Sequence, residues 1–139
     1  MTIYQISVFI ENKQGRLTEI VKTLSTNGID IRALSVADTT DFGILRIIVN
    51  DPEAAIKVLK AEGVTVSKTQ VIGVSFDDKT GALTNVLELL SNAGISVEYA
   101  YAFITHSKNN ASVILRVEQV EEAIKVLTDA GVSLIDTIE

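Results

Sequence analysis

The chain states one pattern twice. Asn12-Lys13-Gln14-Gly15-Arg16-Leu17 opens an apolar helical stretch that closes at Asn27-Gly28-Ile29-Asp30-Ile31. Asp78-Lys79-Thr80-Gly81-Ala82-Leu83 opens another that closes at Asn92-Ala93-Gly94-Ile95-Ser96-Val97. Gly15 and Gly81, Leu17 and Leu83, and Gly28 and Gly94 all stand 66 positions apart. Ala55-Ile56-Lys57-Val58-Leu59 then recurs letter for letter as Ala123-Ile124-Lys125-Val126-Leu127, now 68 positions on, so two residues are added between Val97 and Val113. A duplication of this kind means two copies of one small unit, and two copies of whatever site that unit carries. Over 139 residues it implies domains at 1–69 and 70–139. Each is near the lower end of what folds unaided. The boundary is expected in a short polar bridge at Ser67 to Gln70.

Each copy reads β-α-β-β-α-β. Tyr4, Ile6, Val8 and Ile10 alternate with Gln5 and Ser7, the period of a strand. Leu17, Ile20, Val21 and Leu24 fall at i, i+3, i+4 and i+7, one stripe of a helix. Asn27-Gly28 stops that helix, because glycine accepts the left-handed cap without a Cβ penalty. Ile29 to Val36 and Gly43 to Val49 read as strands joined by a turn at Asp38 to Asp41. Asp51-Pro52 starts a second helix: the aspartate caps orphan amides, and proline fits the first helical position. Val64 and Val66 begin a fourth strand. In the second copy Leu83, Val86, Leu87 and Leu90 repeat the helix stripe. Ile95 to Ile104 and Val113 to Val117 repeat the hairpin, with a longer polar tip at His106 to Asn110. A helix from Glu121 to Ala130 and a strand from Val132 to Ile138 close that copy.

This order predicts an α+β fold: two tandem ferredoxin-like domains, each an antiparallel four-stranded sheet with both helices on one face. The second strand of the second copy is apolar on both sides at Ala100, Tyr101, Ala102 and Phe103. A face of that kind calls for packing, against the other repeat side by side or against another subunit.

Several chemistries are excluded or disfavoured. With no cysteine there is no disulfide, thiol nucleophile or cysteine metal site. A net charge of −6 disfavours nucleic-acid backbones and anionic lipid surfaces. The aromatics Tyr99, Tyr101 and Phe103 would suit RNA only with basic company, so they read as core or interface. No apolar run approaches membrane-spanning length, and Met1-Thr2-Ile3-Tyr4 leads directly into a strand pattern; the expectation is a cytoplasmic protein. The single histidine, His106, stands in a hairpin tip with no nucleophile or orienting acid near it, so it reads as a solvated loop residue. Metal-ligand spacing, Walker-type loops and dinucleotide fingerprints are absent. No catalytic set, metal or cofactor is expected.

What remains is the loop that enters the first helix of each copy. A polar residue (Asn12, Asp78) is followed by two residues, a glycine (Gly15, Gly81), one residue and a leucine (Leu17, Leu83). Glycine permits close approach of the backbone. Unpaired amides at Arg16-Leu17 and Ala82-Leu83 would suit a carboxylate. Asn12 or Asp78 would accept from an ammonium. Together these fit a zwitterion, although glycine and Asn or Asp also build plain turns, and duplication copies turns too.

The β-α-β-β-α-β order, Asn12-x-x-Gly15-x-Leu17 with Asn27-Gly28-Ile29-Asp30-Ile31, and the second match at Asp78-x-x-Gly81-x-Leu83, resemble the ACT domain. Glu98-Tyr99-Ala100-Tyr101-Ala102-Phe103 is similar to the second strand of small stand-alone tandem ACT proteins. The resemblance spans essentially the whole chain. It implies a regulatory module that binds a free amino acid at a domain interface, without catalysis. It implicates Asn12, Lys13, Gly15, Arg16 and Leu17 in the first copy and Asp78, Lys79, Gly81, Ala82 and Leu83 in the second. Backbone groups near Leu34-Ser35 and Ala100-Tyr101 would face them. The apolar second strands add the expectation of a homodimer, and a regulated protein partner is expected for a free-standing sensor. The acidic charge and the lack of a long apolar run lead to the expectation of no nucleic acid and no membrane. The competing reading is an interaction or oligomerisation module with a vestigial pocket. A third, an acylphosphatase-like enzyme using Arg16, lacks the matching glycine pattern. The loops differ at Asn12 against Asp78 and Arg16 against Ala82, so one competent site is expected more readily than two equal ones.

Overall fold

The computed structural model describes residues 3–38, 41–103 and 109–136. The tip residue His106, the turn residues Thr39 and Thr40, and the last residues of the expected final strand lie outside these. The elements run β1 (Ile3–Glu11), α1 (Arg16–Thr26), β2 (Ile31–Asp38), β3 (Phe42–Val49), α2 (Pro52–Ala61), β4 (Thr65–Asp77), α3 (Ala82–Asn92), β5 (Val97–Ala102), β6 (Asn110–Val117), α4 (Val120–Asp129) and β7 (Ser133–Ile135). The chain forms two compact units, one from Tyr4–Thr69 and one from Gln70 onward that also takes Ile3.

The strand order is β2-β3-β1-β4 in the first unit and β7-β4-β6-β5 in the second. The β1–β3, β2–β3, β4–β6, β4–β7 and β5–β6 pairings are antiparallel. This is the ferredoxin-like α+β arrangement in each unit, with the second strand of the repeat at an edge. One expectation is corrected. Where eight strands and a polar bridge were expected, the described residues hold seven strands, because β4 runs unbroken through Ser67 to Gln70. That stretch has no glycine or proline to interrupt it, and its side chains find polar surroundings. Lys68 pairs with Glu53 of α2 at 2.9 Å, and its ammonium lies 4.5 Å from the centre of the Tyr4 ring. The hydrogen bond to Glu53 holds the Lys68 pKa above its ordinary value.

The helix ends follow local sequence. Gly28 takes φ 74°, and the Ile29 amide donates to the Leu24 carbonyl at 3.0 Å, closing a Schellman turn. Gly94 does the same, with the Ile95 amide on the Leu90 carbonyl at 2.9 Å. Asp51 caps α2, its carboxylate accepting from the Ala54 amide at 3.1 Å, with Pro52 next to it.

The core of the first unit joins Ile6, Val8 and Ile10 of β1, Leu45 and Ile47 of β3, Ile20 and Leu24 of α1, and Leu59 of α2. The second unit matches it with Ile72, Val74, Leu115, Val117, Val86, Leu90 and Leu127. The helix stripes are wider than these cores. Ile20 and Leu24 are buried, but Leu17 remains 38% exposed. The polar side of β1 also departs from simple alternation. Gln5 and Ser7 are buried, and the Gln5 amide nitrogen donates to the Ser7 hydroxyl at 3.0 Å. A buried pair is tolerated when its groups satisfy each other. Among the described residues no helix is long and apolar enough to cross a membrane.

Leu24 is fully buried. Replacing it with alanine removes packing that its neighbours cannot refill. Leu24→Ala is expected to destabilise the first unit by about 2–5 kcal/mol, read as a lowered urea midpoint.

Candidate functional site

The β1–α1 loop and the β4–α3 loop are the same turn. In the first, the Asn12 amide donates to the Asp41 carbonyl at 3.3 Å, Lys13 to Glu11 at 2.9 Å, and Arg16 to Lys13 at 3.2 Å. In the second, Asp78 donates to Asn109 at 2.8 Å, Lys79 to Asp77 at 2.8 Å, and Ala82 to Lys79 at 3.2 Å. Gly15 and Gly81 then enter the helices in the left-handed region, at φ 83° and 91°. A side chain there is strained, which is why both copies need glycine. The amides expected to be open to an anion are thus partly used: those of Arg16 and Ala82 already donate within the loop.

A cleft of about 370 Å³ lies over the first loop. Its lining brings together Asn12, Lys13 and Leu17 with Ile10, Glu11, Val36 and Gly43. The loop carries the polar groups, and Lys13 Nζ stands 3.8 Å from the Glu11 carboxylate, both exposed. The sheet and helix carry the apolar ones. Ile10 is 6% exposed, while Leu17 and Val36 keep 38% and 47% of their surface. Register explains how Val36 arrives: it pairs with Leu45 on β3, and Leu45 pairs with Val8 on β1, so all three share the helix-covered side of the sheet. Gly43 pairs directly with Ile10.

Other expected residues fall elsewhere. Gly15 shapes the turn without lining the cleft. Arg16 pairs with Glu19 at 3.0 Å and borders a separate depression with Thr23, Thr26 and Glu62. Leu34 is exposed and Ser35 half-buried on the edge strand β2, neither in the cleft lining. In the second unit Asp78, Lys79, Gly81 and Leu83 are exposed and Ala82 is buried. Ala100 is exposed, and Tyr101 is half-buried with its ring stacked on Tyr99, centroids 6.4 Å apart. A further depression beside α3, lined by Leu87, Ser91, Ile95 and Val97 among others, contains none of the expected residues.

Ile10, Glu11, Val36 and Gly43 were not anticipated. Glu11 was legible as a charged neighbour of Asn12. The other three depend on strand pairing. The same register exposes the drift between copies. Ile10 opposite Gly43 becomes Phe76 opposite Ala111, and Val36 becomes Ala102. Among the described residues no group of histidine, aspartate and glutamate could hold a metal ion.

Replacing Gly15 forces a Cβ into the left-handed region while meeting no neighbouring atom. Gly15→Ala is expected to lower stability by ~1–2 kcal/mol. Gln14→Ala, at the exposed neighbouring position, is expected within ~0.5 kcal/mol of the parent. Equal urea midpoints for the two variants would contradict the strained turn.

A family model described as an ACT domain pair matches residues 1–138. A protein of known structure from Bacteroides thetaiotaomicron is 41% identical, with a TM-score of 0.91 over 97% of this chain and 92% of its own. The ligand-free regulatory subunit of aspartate kinase from Thermus thermophilus shares the fold at 16% identity, with a TM-score of 0.65 over 91% of each chain. The corresponding subunit from Thermus flavus does so at 17% identity and a TM-score of 0.63, over 92% of each chain. No curated protein matches the chain.

Proposed function

Because the chain belongs to the ACT domain pair family, we propose that it is a non-catalytic regulatory protein that binds a free amino acid. One observation carries this reading. The first-repeat cleft sets Glu11, Asn12 and Lys13 beside Ile10, Leu17 and Val36. Lys13 attracts a carboxylate, Glu11 and the Asn12 oxygen accept from an ammonium, and the aliphatic wall takes a side chain. The Glu11–Lys13 pair is exposed and long at 3.8 Å, so a zwitterion loses little by separating its members. The volume is near the lower end for ligand pockets, in keeping with a small molecule.

The site spans two kinds of element. The loop joins β1 to α1, whereas Val36 belongs to edge strand β2. A ligand touching both favours one placement of β2 over others, and that differential affinity is the regulatory output. Leu34 and Val36 leave apolar surface on this edge strand, which supports assembly as a homodimer. The second loop keeps Asp78 and Lys79 as a weaker or differently tuned site. A protein partner reads the ligand-bound state. Backbone groups near Leu34-Ser35 and Ala100-Tyr101, which lie outside the cleft lining, face the sites only across the homodimer.

A thermal-shift panel of the standard amino acids tests the reading. A ligand at ~100 times its Kd is expected to stabilise the chain by about 2.7 kcal/mol. Absence of any shift would sink it and favour an interaction module with a vestigial pocket. For the second loop, Asp78→Ala is expected to weaken binding, seen in calorimetry as a lost or reduced second stoichiometric equivalent; an unchanged isotherm would remove Asp78 as the ammonium partner.

A further inference from the structure

We infer that the first-repeat cleft selects an amino acid with a short aliphatic side chain, and that Gly43 and Val36 set the limit on its size. This rests on the amino-acid-binding reading of the same cleft and names its ligand class.

The polar lining is confined to one rim. Glu11, Asn12 and Lys13 are consecutive in the loop, and every other lining residue is aliphatic or glycine. A zwitterionic head group held at that rim therefore directs its side chain onto Ile10, Leu17 and Val36. Those three residues offer no hydrogen bond. An acidic or basic side chain laid against them loses hydration with no partner in return. An aliphatic one instead covers the apolar surface that Leu17 and Val36 keep exposed.

The floor limits size. Ile10 is buried, and Gly43 is its direct cross-strand partner. A Cβ built at Gly43 would lie 3.2 Å from Ile10 Cγ1, tighter than ordinary contact, and 3.5 Å from its Cδ1, an ordinary contact. The absence of a side chain at Gly43 is what lets Ile10 settle into the sheet. A methyl group there requires the Ile10 side chain to give by a few tenths of an ångström. Val36 narrows the opposite wall. The second repeat differs at all three positions, with Phe76, Ala111 and Ala102. The preference is accordingly a property of the first cleft.

Calorimetry on the full chain with valine, leucine and isoleucine, against aspartate, lysine and phenylalanine, tests the inference. The aliphatic ligands are expected to bind at least about tenfold more tightly, the discrimination that a methylene-sized mismatch produces in an apolar pocket. Lys13→Ala is expected to remove the aliphatic-selective equivalent while leaving any equivalent at the second loop, which assigns the selectivity to the first cleft; an unchanged isotherm overturns that assignment. Gly43→Ala is expected to weaken leucine and isoleucine about tenfold relative to alanine, in a chain shown by circular dichroism to be folded. Val36→Ala, at an exposed position with no folding burden, is expected to shift the preference toward phenylalanine. If no amino acid binds, the functional reading itself fails. If aspartate, lysine or phenylalanine binds best to the parent chain, the reading stands and the aliphatic selectivity is wrong. Unchanged preference order in both Gly43→Ala and Val36→Ala overturns their role as the size limit.

Discussion

Each unit stands on the contact between one edge of its first helix and one face of its sheet. In the first unit, Ile20 and Leu24 press onto Ile6, Val8, Leu45 and Ile47. Leu59 of α2 completes the layer. A domain of this size buries little surface per residue, so most of its stability comes from these few side chains. The helix must also begin where the stripe meets the sheet. The left-handed glycine at residue 15 lets the chain leave β1, reverse and start α1 within a short loop. The placement of that core contact decides what the stripe leaves over. Leu17 is the stripe member that extends past the buried layer, and it becomes a wall of the cleft.

The duplicated chain keeps this physics constant and varies what lies beside it. The Schellman stops, the left-handed loop glycines and the pattern of loop hydrogen bonds recur in both copies. These features are interdependent, because a change in one breaks a turn or opens the core. The positions that border the loop are freer. Ile10, Val36 and Gly43 in the first copy stand as Phe76, Ala102 and Ala111 in the second. The result is one scaffold with two unlike surfaces at equivalent places.

Much of the fold was legible in short-range pattern. The helix stripes named Ile20, Leu24, Val86 and Leu90, which are buried. Asp51-Pro52 and Asn27-Gly28 marked a start and a stop that hold to within a residue or two. The misreadings have physical causes. Ser67 to Gln70 suggested a bridge because it is polar, but a strand tolerates polar residues where its side chains meet water or a partner such as Glu53. Gln5 and Ser7 alternate with the apolar residues of β1 and so lie on its other side, yet they are buried too, with their side chains bonded to each other. The loop amides of Arg16 and Ala82 read as open, while the folded turn already uses them.

By itself the sequence determined the repeat, the order of elements, the helix limits and most of the core. All of these are set by neighbours within about one or two helical turns, where periodicity and capping act. Only the tertiary structure decided which residues face the cleft. Ile10 and Gly43 are far apart along the chain and meet through the β1–β3 register. Val36 reaches the same side of the sheet through β3. Register is the sum of many long-range pairings, and a slip of one residue would turn Val36 to the opposite face. No local pattern carries that information, so the loop was readable in advance and the wall opposite it was not.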